Sequence, residues 1–431
     1  MKKLAVLVTA LALLGAACSS DDGDDGATGT TKPSTTETGS STTSTTEAPA
    51  PEAEAFSGSE TDFYEAPDPL PDGEHGDLVR YQEVGADDVG TTYRIMYLSE
   101  SVAGKPIAVT GTAIVPKVEA PADGRRLFTI AHGTTGIADE CAPSKKASGG
   151  ELALAAPLAK QGYLMAETDY EGLGTPGRHP YLVGMSEGRG TIDAILAAKQ
   201  LPDADGGDQL AIAGYSQGGH GSLWANEVAE DWAPDLDVVG TFAGAPATEI
   251  DLILSAAPRS PVVGGFAYMI IAGFEAAYGD EADPSQMLTP KGVDQLSKVD
   301  EGCVGEVIAA YAGQQGLVKQ APVPADWLQL AKENNPGQVK TDDPILILHS
   351  AADNVVPLAL SGILFNRMCG EGQVVERRVL EDGLGHGQAA PGAYGQALTW
   401  LEDRFEGKPA TSTCPAGGGT STTTTAAAAS G

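Results

Sequence analysis

Residues 209–224 contain an apolar run, a serine between two nearby glycines, and then a segment of helical composition. Gly214, Ser216 and Gly218 fit the pattern G-x-S-x-G, in which a strand turns sharply into a helix and presents the serine hydroxyl at the sheet edge. Side chains at the two glycine positions would collide in such a turn. A chain with 55 glycines can match the pattern by chance. Residues 210–213, however, predict the buried strand that the motif requires, so we interpret Ser216 as a nucleophile.

The N-terminus has the pattern of an export signal. Lys2 and Lys3 precede an apolar stretch at residues 4–17 that is too short to span a bilayer. Small residues before Cys18 and an acidic, serine-rich segment after it resemble a bacterial lipoprotein signal, although Gly15 stands where a branched aliphatic residue is usual. The alternative is an ordinary secretory signal with a chance cysteine. Both predict an extracytoplasmic protein, either anchored through a lipidated Cys18 to the outer face of the cytoplasmic membrane or secreted.

The composition changes several times along the chain. Residues 19–55 hold no Leu, Ile, Val, Met or aromatic residue and cannot bury a core, and the Gly/Thr/Ala-rich C-terminus is similar. The predicted parts are a signal peptide (1–18), a disordered acidic tether (19–60), a first core segment (61–245), a helical cap insertion (246–342), a second core segment (343–414) and a disordered tail (415–431).

The net charge restricts the partners. It is −33, from 26 Lys and Arg against 59 Asp and Glu, so the surface repels nucleic acid and anionic lipid headgroups. Membrane attachment would therefore come from acyl chains at Cys18, and the substrate should be neutral. We expect no cofactor and no metal, because no Cys-x-x-Cys or His-Glu-x-x-His spacing occurs, and we expect a monomer.

Strand and helix patterns alternate through the middle of the chain. Three early segments alternate apolar and polar residues and predict antiparallel strands, at 78–83, 92–98 and 107–115. Later strands are predicted at 126–131, 163–168, 210–213, 237–243, 344–349 and 374–380, with helices at 151–160, 186–200 and 394–405. This alternation predicts a mostly parallel sheet with helices on both faces.

About 100 residues separate the strands predicted at 237–243 and 344–349, which is too long for a loop. Helical segments at 266–278, 304–312 and 327–332 favour a helical cap over the sheet edge, where apolar residues could bind an acyl chain. The alternative is a packed helical extension that does not contact substrate.

A serine nucleophile needs a base and an acid that orients the base, in the chain order Ser, Asp or Glu, His. His386 follows the last predicted strand in a glycine-rich loop, where an imidazole can reach Ser216, whereas His349 lies inside an apolar strand. Asp353 directly follows that strand, at its carboxyl end, and is the predicted acid. Asp251, after the previous strand, is the alternative acid.

The tetrahedral intermediate of acyl transfer needs two N–H donors. The N–H of Gln217 is one predicted donor. The other comes from the loop after the strand at 126–131, where His132-Gly133-Thr134 is similar to the HG-x turn of esterases, and we choose the N–H of Thr134. We interpret His132 itself as a structural residue that holds the loop by hydrogen bonds.

These residues together resemble the α/β-hydrolase superfamily, and within it the secretory lipase family. The specific blocks are CAPS at 141–144, DYEGLGTPGRHPYLVG at 169–184, GYSQGGHGSLWANE at 214–227, and ADNVVP followed by GHG. A cutinase shares G-Y-S-Q-G but is shorter and lacks the cap. The resemblance implies an α/β-hydrolase fold with a helical lid and ester hydrolysis through a Ser-Asp-His triad.

Apart from Cys18 the chain has four cysteines, and an even number in an exported protein indicates two disulfides, with three pairings open from the sequence alone. The resemblance implies the pairs Cys141–Cys303 and Cys369–Cys414.

The leading hypothesis is an exported serine esterase or lipase that acts through an acyl-enzyme on neutral lipid or other acyl esters. An acyltransferase with the same triad is the alternative, in which an alcohol replaces water in the second half-reaction. A binding lipoprotein that kept the fold without catalysis is a third reading. A peptidase is disfavoured, because nothing in the sequence points to recognition of a peptide amide.

Overall fold

A computed structural model describes residues 53–146, 150–259 and 263–415. The predicted signal peptide, Cys18, most of the predicted tether and nearly all of the C-terminal tail lie outside these residues. Within the described ranges, none of the helices combines the length and apolar character needed to cross a membrane.

The described strands form one mixed sheet. They are β1 (Glu54–Ala55), β2 (Leu78–Ala86), β3 (Gly90–Glu100), β4 (Pro106–Pro116), β5 (Arg125–Ala131), β6 (Leu164–Thr168), β7 (Gly206–Tyr215), β8 (Asp237–Gly244), β9 (Ile345–Ser350) and β10 (Val375–Leu380). Their order is β1-β2-β3-β4-β6-β5-β7-β8-β9-β10. The pairs β2–β3, β3–β4 and β4–β6 are antiparallel, whereas β6–β5, β5–β7, β7–β8, β8–β9 and β9–β10 are parallel. The antiparallel opening and the parallel centre are confirmed.

The α-helices of the described residues cover both faces of this sheet or lie beyond its edge. They are α1 (Glu60–Phe63), α2 (Leu152–Lys160), α3 (Gly184–Ala198), α4 (Gln217–Trp232), α5 (Ile250–Ala256), α6 (Val263–Tyr278), α7 (Pro284–Met287), α8 (Pro290–Val293), α9 (Val304–Tyr311), α10 (Ala325–Glu333), α11 (Leu358–Glu371) and α12 (His386–Phe405).

The central strand β7 shows why the sheet is covered on both sides. Leu210 and Ile212 belong to the apolar cluster with α3 and α4, whereas Ala211 and Ala213 belong to the cluster with α2 and α12. All four side chains are buried. Because successive strand residues point to opposite faces, a continuous apolar run is the pattern expected for a strand between two helical layers.

The segment between β8 and β9, called the insertion below (residues 245–344), builds an apolar cluster of its own from α5, α6, α9 and α10. Phe274 and Trp327 stack in it with ring centroids 6.0 Å apart. Leu182 and Val183, which precede α3, belong to the same cluster, so the insertion packs directly on the chain beside the sheet edge.

Two disulfide bonds constrain the chain. Cys141–Cys303 joins the segment after β5 to the insertion across 162 residues, and Cys369–Cys414 joins the end of α11 to the C-terminal segment. These are the pairs that the family resemblance implies.

Two predicted boundaries differ from the structure. The predicted tether ends at residue 60, but β1 pairs with β2, and the Phe56 ring lies 5.5 Å from that of Phe63. A two-residue strand that is stabilised by residues distant in the chain has no recognisable pattern in its own sequence. The sequence predicts the last helix from residue 394, but α12 begins at His386. The prediction starts too late because Gly387, Pro391 and Gly392 weaken the helical signal of the first turns. His386 is therefore the first residue of a helix rather than part of a flexible loop.

Candidate active site

Ser216 occupies the turn between β7 and α4 in a strained backbone conformation, with φ 61° and ψ −117°. A Cβ added at Gly214 would lie 2.0 Å from the carbonyl oxygen of Gly218, and one added at Gly218 would lie 2.0 Å from that of Ala131. Both glycines are therefore required by close backbone approach. A positive φ at a residue other than glycine is costly, and such strain concentrates at functional sites.

His386 is held next to Asp353 at the carboxyl end of the parallel sheet. Its Nδ1 atom lies 2.6 Å from Oδ2 of Asp353, and its backbone N–H donates to Oδ1 of Asn354 at 3.0 Å. The hydroxyl of Tyr215, which precedes Ser216, donates to the carbonyl oxygen of His386 at 2.8 Å. Because the carboxylate accepts the proton at Nδ1, Nε2 is the nitrogen available to act as a base.

The Asp353 carboxylate accepts hydrogen bonds on both oxygens. Oδ1 accepts from the backbone N–H groups of Val355 and Val356, each at 2.9 Å, and Oδ2 lies 3.2 Å from Nε2 of His349. Burial opposes ionisation of Asp353, but the bonds from His349 and His386 and the backbone donors outweigh it and hold the pKa well below its usual range. The acid therefore stays ionised at neutral pH.

Two other aspartates, Asp251 and Asp382, have different partners. Oδ1 of Asp251, the alternative acid, accepts from the side-chain amide of Asn335 at 3.0 Å. Asp382 is exposed and accepts from the N–H of Leu384 in its own loop. Among the described residues, Asp353 is the carboxylate that contacts the His386 imidazole.

Gln217 and Thr134, the predicted oxyanion donors, both lie beside Ser216. Gln217 is the first residue of α4, so its N–H has no acceptor within the helix. Thr134 lines the same cavity as Ser216 and His386, and its hydroxyl lies 2.7 Å from the hydroxyl of Tyr181. Thr134 can therefore offer its backbone N–H to an oxyanion, and its hydroxyl as well when the Tyr181 hydroxyl is the donor of this bond.

Two cavities meet at Ser216. One has a volume of about 250 Å³ and is almost entirely apolar; it is called the apolar cavity below. Its lining consists of Tyr181, Leu182, Ser216, Ala247, Leu252, Ile253, Ala256, Phe266, Ile270, Val355, Val356, Pro357 and Leu360. The other, of about 450 Å³, is open to solvent and contains Thr134, Glu151 and His386. Ser216 therefore stands between an apolar compartment and a more polar one.

Comparisons with known proteins agree with this geometry. The sequence model of one protein family, the secretory lipases, matches residues 144–413, which is more than half of the chain. The chain belongs to the secretory lipase family. It is therefore a carboxylic ester hydrolase whose substrates are lipid esters, and the secretory family and the two disulfides fit an extracellular location.

Individual relatives of this lipase are distant in sequence. Lipase 1 of Candida albicans is 25% identical over 396 residues, covering 82% of each chain. A secreted triacylglycerol lipase of Malassezia globosa is 24% identical over 384 residues, covering 82% of this chain and 83% of its own.

Solved structures are similar in fold. Candida antarctica lipase A has a TM-score of 0.68 at 21% identity, covering 79% of this chain and 84% of its own. The rice cell wall degrading esterase LipA of Xanthomonas oryzae has a TM-score of 0.61 at 19% identity, covering 77% and 96%. The α/β-hydrolase fold is thus confirmed.

The lipase holds the side chain of Gln217 in a buried polar network that the sequence did not reveal. Nε2 of Gln217 lies 2.8 Å from Oε1 of Glu187 and 2.9 Å from Nε2 of His179. Glu187 Oε2 lies 2.6 Å from Nδ1 of His220, whose Nε2 lies 2.8 Å from the carbonyl oxygen of Asn334 in the insertion. The network thus connects Gln217, the residue after Ser216, to the insertion.

Glu151 is a second residue of the lipase that sequence reasoning missed. Its Oε1 accepts the N–H of Gly133 at 2.8 Å, and its Oε2 accepts the hydroxyl of Tyr394 at 2.6 Å. Burial raises the pKa of Glu151 to about 7, against the lowering effect of these two bonds. The carboxylate therefore fixes the backbone immediately before Thr134.

The remaining residues around the loop at 132–134, which carries the predicted oxyanion donor, hold it by hydrogen bonds. His132 is 1% exposed, and its Nδ1 and Nε2 face the carbonyl oxygens of Gly133 and Asp169. Burial lowers its pKa to about 4, so it is neutral at physiological pH. The hydroxyl of Tyr170 donates to the carbonyl oxygen of His132 at 2.9 Å, and the Asp169 carboxylate accepts from the hydroxyl of Thr110 at 2.7 Å.

Proposed function

We propose that the chain hydrolyses lipid esters through a covalent acyl-enzyme on Ser216, with His386 as the base and Asp353 as the acid that orients it. The observation that carries this proposal is the 2.6 Å contact between His386 Nδ1 and Asp353 Oδ2, beside a serine held at φ 61° in the same cavity as the imidazole. Among the described residues, no hydrogen bond joins Ser216 Oγ to His386. Such bonds commonly tighten only in the substrate complex.

In the first half-reaction Ser216 Oγ attacks the ester carbonyl while His386 Nε2 takes the hydroxyl proton. The negative charge that develops on the carbonyl oxygen is stabilised by the N–H groups of Gln217 and Thr134. His386 then gives its proton to the departing alcohol. In the second half-reaction His386 removes a proton from water, the resulting hydroxide attacks the acyl-enzyme, and the fatty acid leaves as Ser216 regains its proton.

The two cavities support an assignment of the two parts of the ester. The apolar cavity is lined by Phe266 and Ile270 of α6, in the insertion, and by Val355 and Val356, which follow the acid in the chain. We assign it to the acyl chain, because burial of each methylene is worth about 0.8 kcal/mol. The larger open cavity then takes the alcohol portion. In this assignment the insertion acts as the cap.

We also propose that Cys18 anchors the enzyme to the outer face of the cytoplasmic membrane. The support is the lipoprotein-like sequence around Cys18, which lies outside the described residues. Loss of membrane association in Cys18→Ser, with activity intact in the released protein, is the expected result.

The test of the catalytic proposal is hydrolysis of p-nitrophenyl esters from acetate to palmitate. Wild type is compared with Ser216→Ala and with Ser255→Ala, which removes an exposed serine. Turnover should fall by about 10⁶-fold in Ser216→Ala and stay unchanged in the control. A Ser216→Ala protein that keeps its activity would overturn the serine mechanism.

A further inference from the structure

His349 contacts the same carboxylate oxygen that holds His386. It lies in β9, its side chain is fully buried, and its Nε2 is 3.2 Å from Oδ2 of Asp353 and 3.0 Å from the carbonyl oxygen of Val356. Its Nδ1 is 2.8 Å from Oγ of Ser361. Oδ2 of Asp353 therefore lies between two imidazoles, one from β9 and one from the start of α12.

The partners of His349 determine its tautomer. A carboxylate and a carbonyl oxygen can only accept, so Nε2 must carry a proton. Ser361 Oγ accepts from the Arg377 guanidinium, at 3.3 Å from Nε and 3.2 Å from Nη2. The Ser361 hydroxyl also lies 3.1 Å from the carbonyl oxygen of Leu358, so its proton has two acceptors within reach, this carbonyl and Nδ1 of His349. His349 therefore donates through Nε2.

These contacts form a continuous polar chain. Arg377 donates to Ser361, Oγ of Ser361 contacts Nδ1 of His349, and Nε2 of His349 faces the carbonyl oxygen of Val356 and Oδ2 of Asp353. Connected buried polar contacts of this kind hold the imidazole in one orientation. The chain ends at Oδ2 of Asp353, the oxygen that also accepts from His386.

We propose that His349 is a positioning residue for catalysis, which fixes Oδ2 of Asp353 towards His386, with Ser361 and Arg377 holding the imidazole of His349 in place. This inference rests on the proposed role of Asp353 as the acid of the triad. The backbone N–H groups of Val355 and Val356 anchor Oδ1. Without His349 the carboxylate keeps that anchor but can rotate Oδ2 away from the His386 imidazole.

The test compares two amides at position 349. Glutamine can place an N–H near the position of Nε2 and so reach Asp353, whereas asparagine reaches only the position of Nδ1 and keeps the Ser361 side. We expect His349→Asn to lower kcat about 10- to 100-fold, as for loss of one hydrogen bond to a charged group, with little change in KM. His349→Gln should recover most of kcat.

A second readout separates positioning from a purely structural role. The proton between His386 Nδ1 and Asp353 should give a low-field proton resonance that persists in His349→Gln and broadens or disappears in His349→Asn. Ser361→Ala keeps the imidazole itself and should lower kcat by less than His349→Asn. His75→Phe is the matched control, because His75 contacts the Asp193 carboxylate at 2.8 Å and lines neither cavity at Ser216; its kcat should be unchanged.

The inference is overturned if the asparagine and glutamine variants lose the same fraction of kcat and keep the low-field resonance, or if Ser361→Ala matches wild type in both measurements. Failure of the proposed function looks different. In that case Ser216→Ala keeps wild-type activity, whatever the variants at position 349 do.

Discussion

The imidazole of His386 and the carboxylate of Asp353 meet at 2.6 Å although 33 residues separate them in the chain. The contact forms because β9 and β10 are parallel neighbours, so that the segments after both strands lie at the same sheet edge. Parallel neighbours bring their carboxyl ends together, and such edges are where α/β proteins place their reactive groups.

Replacing the acid should remove most of the catalytic power. We expect Asp353→Asn to lower kcat by about 10⁴-fold, because an amide cannot stabilise the imidazolium and can select the wrong tautomer of His386. Steady-state kinetics on a p-nitrophenyl ester measure this loss. Asp251→Asn, which changes the alternative acid, should keep near wild-type kcat, and the opposite ranking would reassign the acid to Asp251.

The apolar cavity should determine the preferred acyl length. Ala256 lies at an exposed position on its lining, so Ala256→Trp can fill the cavity without overpacking the core. We expect kcat/KM for long-chain esters to fall by at least about tenfold relative to acetate, since several methylenes lose their burial. Ala256→Ser, which adds only a hydroxyl group, is the control variant. An unchanged chain-length profile in the tryptophan variant would place the acyl chain elsewhere.

The raised pKa of Glu151, about 7, predicts a pH-dependent stability. The folded protein holds the proton of Glu151 more tightly than the unfolded chain does. The stabilisation from this proton is therefore complete below the unfolded-state pKa of 4.5 and is lost as the pH rises through the folded-state pKa of about 7. From about pH 5 to 8, the free energy of unfolding of wild type should fall by about 1–3 kcal/mol relative to Glu151→Gln.

Urea unfolding at several pH values measures this difference for Glu151. Glu140→Gln, at an exposed position, serves as the control and should parallel wild type at every pH. A constant gap between wild type and Glu151→Gln would show that Glu151 does not titrate in this range.

The Cys141–Cys303 disulfide should support both the fold and the oxyanion loop. Next to it, the N–H of Val304 donates to the carbonyl oxygen of Thr135 at 2.8 Å, so the insertion directly holds the loop that carries Thr134. The double variant Cys141→Ser/Cys303→Ser should lose about 2–4 kcal/mol of stability and also kcat. The control variant Cys369→Ser/Cys414→Ser should also be less stable but should keep its kcat at a temperature at which it is folded. An equal loss of kcat in both double variants would contradict a specific role of the Cys141–Cys303 disulfide at the active site.

Local patterns were sufficient for the fold class and for the choice of Ser216, Asp353 and His386 as candidates. Each stands in a short motif at the end of a strand, and the parallel topology implies that these ends meet. The same reasoning failed for the start of α12, because glycine and proline near His386 hide a helix that is stabilised by tertiary packing.

The supporting residues could not be predicted in this way. Glu151 and Tyr394 are 243 residues apart, and Gln217 reaches His179 and Glu187 only after α4 packs against α3. The sequence places His349 inside an apolar strand, which gives no reason to assign it to the site. Its contact with Asp353 depends on how the turn after β9 folds back. The tertiary structure determines the hydrogen-bond partners of buried polar groups, and a single sequence does not reveal these long-range contacts.

The most direct test of the central claim is the site and rate of reaction with a fluorophosphonate probe, followed by mass spectrometry of the intact protein and its peptides. We expect one adduct, located on Ser216, absent in Ser216→Ala and formed much more slowly in His386→Ala. An adduct on another residue, or equal labelling rates in wild type and His386→Ala, would contradict a serine nucleophile activated by His386.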